Sequence, residues 1–547
     1  MIYKELKTKN IQQHFINNFI AIFIAHNLVL QVLMLWRFSD LEEWPYQLTR
    51  FQVAGFSKMS LKHMPEAINI MYQDFGQFIN GQWRKGSSTE TVTVVDPGTG
   101  EPLGKIPAAT SVDTQDALFS AEQAFNLWKS TPAWFRANIL QEVARQMTAC
   151  INEAALVVSR ESGKPLAQAK REWELSIDQF IWYSEEARRI YGRIVESRVP
   201  GGRCEVLHEP VGVVAAFTAW NFPVVLVARK LAPALAAGCT VVLRPSNEVP
   251  GSAMMIFECL RKAGIPAGVA NLVVGATTET YEPLINSPVV KKVSLTGSTQ
   301  LGQQMIRDSA TTIKRLSMEL GGNAPVIIYD DADLEKALDL SVATKFANCG
   351  QVCVTCDRFY VHQSRYNEFV QGFAERAGRL KVGYGLDPDT QMGPLINPRR
   401  LQAIENIVED ALVKGGRIVT GGQRIALNGG YFYAPTVIAD LPDDALALAE
   451  ENFGPIAAIT SFSDDEDLWQ RVNNSEFALS GYAFTRDPAR IRETVARLES
   501  GMVGINSYAL AAAEVPFGGI KASGMGREGG SEGIHDYMNV KLAQIVV

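Results

Sequence analysis

Cysteine is scarce and odd in number, with seven residues in a chain of 547. A secreted disulfide framework needs a denser, paired set, so that class is excluded and a reducing compartment is expected. Positive charge is not in excess either. The net charge is −7 at pH 7, with a pI near 5.6, which argues against a general nucleic-acid binder. The chain has no internal repeat and no low-complexity tract. Apolar residues make up 47% and charged residues 20%, the balance of a globular enzyme. At roughly 100–200 residues per domain, three or four folding units are expected.

One long apolar run stands near the start. Residues 15–36 read FINNFIAIFIAHNLVLQVLMLW, and about 20 such residues are enough to span a bilayer. Asn17, Asn18, His26, Asn27 and Gln31 interrupt the run, and no small-residue cleavage site follows it directly. Three readings fit: a membrane anchor, a targeting presequence, or an extension from a start codon set too early, with Met59, Met64 and Met71 as later starts. The third is favoured. Membrane association is therefore not expected, a cytoplasmic location is, and residues 1–68 are set apart from the enzyme, whose texture begins near Asp74 (DFGQFINGQW).

From Asp113 to Glu185 apolar residues recur at helical spacing, predicting several helices. From Val211 short β-branched runs alternate with helical ones: VGVVAAFT, ARKLAPALAAG, CTVVLRP, SAMMIFECLRKAG, ANLVVG. That rhythm predicts a parallel sheet covered by helices on both faces. A second alternation runs from Ala324 (APVIIY) through Phe359 (FYVH) to Gly504 (GINSY). The fold class expected is α/β, with two doubly wound domains meeting near Gly321–Gly322. Residues 69–189 and 209–321 form the first and 322–533 the second. Residues 190–208 read as a hairpin arm and 534–547 as a terminal strand.

Chemistry-bearing residues lie at several strand ends. GMGREG at 524–529 has the spacing of a dinucleotide fingerprint, but no strand precedes it and no acidic residue follows at the right distance, so it reads as a flexible loop. VVLRPSNEVP ends a strand at Arg244, and VSLTGSTQLG places Gly297 and Ser298 before a helix. Both suit a nucleotide at the carboxyl end of a sheet or at a helix N-terminus, and both also read as ordinary strand-to-helix turns. FANCGQVCVTC holds Cys349, Cys353 and Cys356. Its spacing matches an iron–sulfur triad, but its position late in the chain does not, and zinc would want four ligands with a better partner than His362. No metal is expected. Cys353 is a nucleophile candidate after Gly350-Gln351, Glu319 in SMELGGNAP a general base, and Asn221 in FTAWNFP an oxyanion donor. Read singly, each also fits a purely structural role.

Together, FTAWNFP, VVLRPS, LTGSTQLG, MELGGNAP, NCGQVC, EENFGP, NSY and PFGGIKASGMGREG, in this order from about Asp74 to Val547, resemble the NAD(P)-dependent aldehyde dehydrogenase superfamily. The resemblance implies oxidation of an aldehyde to an acid with hydride transfer to NAD or NADP. It implies Cys353 as nucleophile, Glu319 as the base for thioester hydrolysis, and Asn221 with the Cys353 N–H as oxyanion donors. It places Thr218, Trp220, Arg244, Ser246, Asn247, Gly297, Ser298, Gly302, Glu451 and Phe453 at the cofactor. Coenzyme-A-acylating relatives generally lack the hydrolytic carboxylate, so Glu319 speaks against that branch, and the intact trio speaks against a non-catalytic homologue. A homodimer or homotetramer built through the arm is implied as well.

The wording NFPVVLVARK, MGREGG and GIHDYMNVK is similar to the succinate-semialdehyde dehydrogenase branch, and Arg229 matches a position that holds the substrate carboxylate there. Ala347 stands where a second Arg is usual, and Ala511–Ala513 where a Ser is usual. A non-acidic aliphatic or aromatic aldehyde is thus the alternative substrate. Asn247 replaces the Glu common in NAD-preferring members, with Glu248 one position on, so NADP is expected to be tolerated. A reversible Cys353–Cys356 disulfide is a less favoured alternative to free thiols.

Overall fold

A computed structural model describes Tyr72 and residues 76–464 and 468–547. The expectations placed on residues 1–68, including the apolar run 15–36, lie outside the described residues. Among those described, no helix is long and apolar enough to cross a membrane.

Four short strands, Gln77–Ile79, Gln82–Arg84, Thr91–Val95 and Pro102–Pro107, are followed by four helices, Ser111–Ser130, Ala133–Ala149, Ile151–Ser162 and Leu166–Glu186. The first helix starts at a capping box in which Thr110 and Asp113 satisfy each other's backbone N–H groups. The alternating stretch from Val213 then builds an eight-stranded sheet. Its parallel centre runs Ala270–Leu272, Thr240–Arg244, Val213–Phe217, Val290–Thr296, Arg315–Glu319. An antiparallel hairpin, Gln77–Ile79 with Gln82–Arg84, extends one edge. Every residue of Val213–Phe217 is buried, as a strand covered on both faces must be. The chain order reverses at this strand: its successor Thr240–Arg244 lies on one side and Val290–Thr296 on the other. Such a switch point opens a crevice at the carboxyl ends, where these sheets bind ligands.

The helix Val225–Ala237 is buried at all 13 residues. A helix apolar all round belongs in the interior, which makes its two charged residues, Arg229 and Lys230, costly unless partnered.

A second sheet of seven strands runs Arg417–Thr420, Thr436–Ala439, Ile456–Phe462, Cys356–His362, Ala324–Ile328, Ser480–Phe484, Met502–Ile505. It is parallel except for the antiparallel edge strand Arg417–Thr420. This is the α/β class expected, with two parallel sheets joined at Gly321–Gly322. The arm is a third sheet, in which Gly202–Pro210 pairs with Arg193–Glu196 on one side and with the terminal strand Met538–Val546 on the other.

The GMGREG segment departs from the loop expected. Gly524–Met525 pairs antiparallel with Met318–Glu319 and closes the far edge of the first sheet. The approach leaves no room for a side chain at Gly524, whose φ is +125° and where a Cβ would meet the Met318 carbonyl oxygen at 1.8 Å. Gly524 there serves strand pairing.

Candidate active site

The two sheets meet end to end. Thr218, Ser246 and Gly297 follow the carboxyl ends of strands in the first sheet, and Glu319 ends another. Gly322, Cys353 and Glu451 precede the amino ends of strands in the second. The site is therefore framed by the carboxyl ends of one sheet and the amino ends of the other.

Two adjoining cavities occupy this frame. One, of about 330 Å³, has walls that include Thr218, Trp220, Arg244, Ser246, Glu248 and Ser298. The other, of about 420 Å³, includes Asn221, Cys353, Glu451, Phe453 and Arg400. Trp220, Gly297, Ser298 and Arg399 border both, so the cavities form one groove from Arg244 to Cys353. Ser298 caps the helix Thr299–Ser309, its hydroxyl accepting from Leu301 N. That N-terminus and the Arg399 side chain give the middle of the groove the charge that a pyrophosphate requires.

Two expected cofactor contacts are placed elsewhere. Gly302 lies within that helix and faces Leu320, whose Cδ2 a Cβ would approach to 2.5 Å. Its smallness serves helix-to-sheet packing. Asn247 turns its amide away, Nδ2 donating to the Gly275 carbonyl at 3.0 Å, while Glu248 forms groove wall and accepts from the Ser246 hydroxyl. The carboxylate missing at Asn247 is thus returned one residue later. Arg244 donates to the Gly275 carbonyl at 3.4 Å and to Thr280 at 3.3 Å, so part of its fork is already committed.

The cysteine loop holds an unusual backbone. Asn348, Cys349 and Gly350 have φ of +47°, +57° and +70°, three successive left-handed residues. At Gly350 a Cβ would lie 2.1 Å from the Gly454 carbonyl oxygen, so only glycine fits. Side-chain amides hold the turn. Asn348 Nδ2 donates to the Asn221 carbonyl at 2.9 Å and to the Gln351 carbonyl at 3.3 Å, and Gln351 Nε2 returns a bond to the Asn348 carbonyl at 3.0 Å. Asn221 Nδ2 donates to the Gln351 carbonyl at 3.1 Å, which brings the expected oxyanion donor to the nucleophile's loop.

Cys353 itself is half-buried. It lines the groove on one side and packs with Leu479, Met502 and Phe517 on the other. Burial, then the carboxylates Glu451 and Glu319, push its thiol up to about 12. The Arg229 charge opposes them. Cys356 belongs instead to the core packed on the second sheet, with its Sγ donating to the Ser341 carbonyl at 3.5 Å. Cys349 is in the same core. Pairing Cys353 with Cys356 would unpack that core, so the geometry does not favour the disulfide.

Glu319 is 3% exposed. Neither carboxylate oxygen has a hydrogen-bond partner among the described residues. Burial first, then the nearby Glu528 charge, raise it well above the ordinary carboxyl range. In this conformation the carboxylate packs against Gly518, where a Cβ would come within 2.7 Å of Oε1, and not in the groove wall. Glu451 accepts from Gly322 N at 2.9 Å, and burial pushes its carboxyl up to about 7. The paired glycines have steric causes: a Cβ at Gly321 would meet Glu451 Oε2 at 2.8 Å, and one at Gly322 the Cys353 carbonyl oxygen at 2.2 Å. Phe453, at φ +43°, meets Trp220 edge-on with ring centroids 5.3 Å apart.

Arg229 lies on the far side of Cys353 from the groove, among the same apolar residues. Its guanidinium stacks on Phe517 at 4.1 Å and donates to the Ala511 carbonyl at 3.1 Å. Its Nε has no partner among the described residues.

The model for the aldehyde dehydrogenase family matches residues 83–543. The chain belongs to the aldehyde dehydrogenase family. It is 40% identical over 470 residues to glutarate-semialdehyde dehydrogenase of Pseudomonas putida, covering 86% of this chain and 97% of that protein. It is 41% identical over 463 residues to succinate-semialdehyde dehydrogenase [NADP(+)] of Escherichia coli, covering 85% and 96%. Among solved structures, betaine aldehyde dehydrogenase of Staphylococcus aureus in complex with NAD+ superposes with a TM-score of 0.86 at 30% identity, covering 88% of this chain and 98% of that one. The α/β fold and an oxidoreductase acting on aldehydes follow from this membership.

Several residues of this aldehyde dehydrogenase's site escaped the sequence reading. Arg399 and Arg400 sit in the first turn of the helix Pro398–Val413. The cap Asn397 with Pro398 signals that helix start, but nothing local says that it faces the groove. Lys164 and Glu172 form a fully buried ion pair. Lys164 Nζ also donates to the Asn221 carbonyl at 2.8 Å, and Glu172 Oε1 accepts from Val224 N at 2.8 Å and Val225 N at 3.3 Å. The pair clamps the FTAWNFP turn from behind.

Proposed function

We propose that the protein oxidises an aldehyde carrying an anionic group, of the succinate- or glutarate-semialdehyde kind, to the corresponding acid through a thioester on Cys353. The observation that carries the reading is the convergence of Cys353, the Asn221 amide and the groove from Arg244 to Cys353 in one frame. NAD+ or NADP+, as hydride acceptor, would fit this groove by its helix N-terminus and its arginines.

The Cys353 thiolate adds to the aldehyde carbon. The oxygen that becomes an alkoxide is received by the Asn221 amide and the Cys353 N–H, an arrangement worth about 3 kcal/mol in the transition state. Addition makes the carbon tetrahedral, so it can release a hydride and leave a thioester on Cys353. Glu319, turned from Gly518 toward the thioester and deprotonated, takes a proton from the water that hydrolyses it. Glu451 and Phe453 would hold the reactive end of the cofactor, and Thr218, Trp220 and Ser298 the stretch toward the adenosine end. Arg229 is the cation for the substrate's anionic group, offering an unpartnered buried donor beside Cys353. With Ala347 and Ala511 apolar, recognition rests on this one arginine. The arm and terminal strand expose Ile194, Leu207, Val540 and Leu542, which supports association of copies through them.

The test is a rate panel with succinic, glutaric, aliphatic and aromatic aldehydes against parent, Cys353→Ala and Arg229→Leu. Loss of turnover in Cys353→Ala, and a selective rise in KM for the semialdehydes in Arg229→Leu, are expected. Turnover without Cys353 overturns the mechanism. Equal KM changes for neutral and anionic aldehydes overturn the substrate class.

A further inference from the structure

A second pair of cysteines lies apart from the groove. Cys150 joins the helices Ala133–Ala149 and Ile151–Ser162, and Cys259 lies in the last turn of Pro250–Lys262. Their sulfurs are 3.6 Å apart, both as free thiols. Cys259 is buried, whereas Cys150 is half-buried and so within reach of a small solute. The two are chemically unequal. The contact with Cys259 holds the Cys150 thiol below its ordinary range, while the same contact and burial push Cys259 up. One sulfur, partly open to solvent, thus sits in direct contact with a buried one.

We propose that Cys150 and Cys259 form a redox-modification site, in which a hydroperoxide converts the two thiols to a disulfide without involving Cys353. The Cys150 thiolate attacks the peroxide oxygen, the O–O bond breaks, and the alkoxide or hydroxide leaves with a proton, giving a sulfenic acid. The Cys259 sulfur then displaces hydroxide from that sulfur, its own proton completing a molecule of water. Two thiols lose two electrons and two protons; the peroxide is reduced to alcohol, or to water, plus water. The sulfurs close from 3.6 Å to about 2.05 Å, the length of the bond.

The location gives the bond a structural effect. At the far end of the helix Ile151–Ser162, Glu161 accepts from Gly251 N at 2.7 Å and from Ser252 N at 2.8 Å. Ile151–Ser162 and Pro250–Lys262 therefore run antiparallel, tied at the end near the groove by Glu161 and in sulfur contact at the other. A disulfide fixes the second end and links positions 109 residues apart. Closing so long a loop restricts the unfolded chain, and an increase in Tm of about 4 °C is expected.

The full-length protein is treated with stoichiometric hydrogen peroxide, alkylated, digested without reductant and read by mass spectrometry, alongside Cys353→Ala and Cys259→Ser. A peptide pair joined through Cys150 and Cys259 is expected in the parent and equally in Cys353→Ala, reversible by dithiothreitol and accompanied by the higher Tm. Cys259→Ser should lose both. If Cys150 instead accumulates as the sulfinic acid, stays reduced while Cys353 oxidises, or joins another cysteine, the proposal fails. The parent protein alone is sufficient to decide it.

Discussion

Replacing Lys164 by Met tests how the oxyanion donor is held. Both side chains of the Lys164–Glu172 pair are 1% exposed. Removing one member of a buried pair leaves the other uncompensated, which costs about 3–5 kcal/mol. Glu172 keeps two backbone donors, Val224 N and Val225 N, so the lower figure applies. About 3 kcal/mol is a loss of more than 100-fold in the folding equilibrium. The Asn221 carbonyl would retain only Asn348 Nδ2 at 2.9 Å, and the Phe222 ring would lose a cation 4.3 Å from its centroid. With its backbone less constrained, the Asn221 amide should drift from the oxyanion, lowering kcat by about 10–100-fold, short of deleting the donor. Urea unfolding followed by tryptophan fluorescence gives the stability change, and saturating kinetics give kcat. Adding Glu172→Gln removes the stranded charge, so the double variant should recover part of the lost stability and show a coupling above about 1 kcal/mol. An unchanged midpoint for Lys164→Met, or strictly additive effects, would refute the clamp.

Glu319→Gln should still give a burst of reduced cofactor of about one equivalent per site while steady-state turnover collapses, because only hydrolysis is lost. Glu248→Gln should shift the ratio of NADP+ to NAD+ dissociation constants, read by calorimetry, by about tenfold toward NADP+, since one negative charge leaves the groove wall. No shift would show that Glu248 does not face the adenosine ribose. Glu451→Gln should speed alkylation of Cys353 by iodoacetamide at pH 8. The Glu451 carboxyl is pushed up to about 7, so it is mainly anionic at pH 8 and there opposes the thiolate. At pH 5.5 it is already protonated, and the variant should match the parent.

Much of the frame was legible because it rests on local signals. The β-branched runs between helical stretches mark strands buried on both faces, and Val213–Phe217 is one at every residue. Asn221, Glu319 and Cys353 stand in quotable motifs at strand ends, where a parallel sheet gathers residues from distant segments. Other parts depend on packing that no short window contains. GMGREG has the spacing of a phosphate loop and the look of a flexible one, yet it closes the first sheet against Met318–Glu319. Lys164, in the turn before the helix Leu166–Glu186, and Glu172, within it, look like surface residues, and only the fold buries them behind Asn221 and Val224.

The adenosine end shows the same limit at single-residue scale. Sequence spacing says that Asn247 stands where a carboxylate would bind a ribose and that Glu248 is one step beyond. After a strand, one step can mean the opposite direction, and here Asn247 points to the Gly275 carbonyl while Glu248 forms groove wall. A reading that counts positions removes the repulsion against a 2′-phosphate. One that follows side chains restores it, with Arg244 partly drawn off to Gly275 and Thr280. The choice between NAD and NADP thus turns on which way a short turn aims two adjacent side chains, a property of the Arg244–Pro250 backbone and not of the residue types it carries.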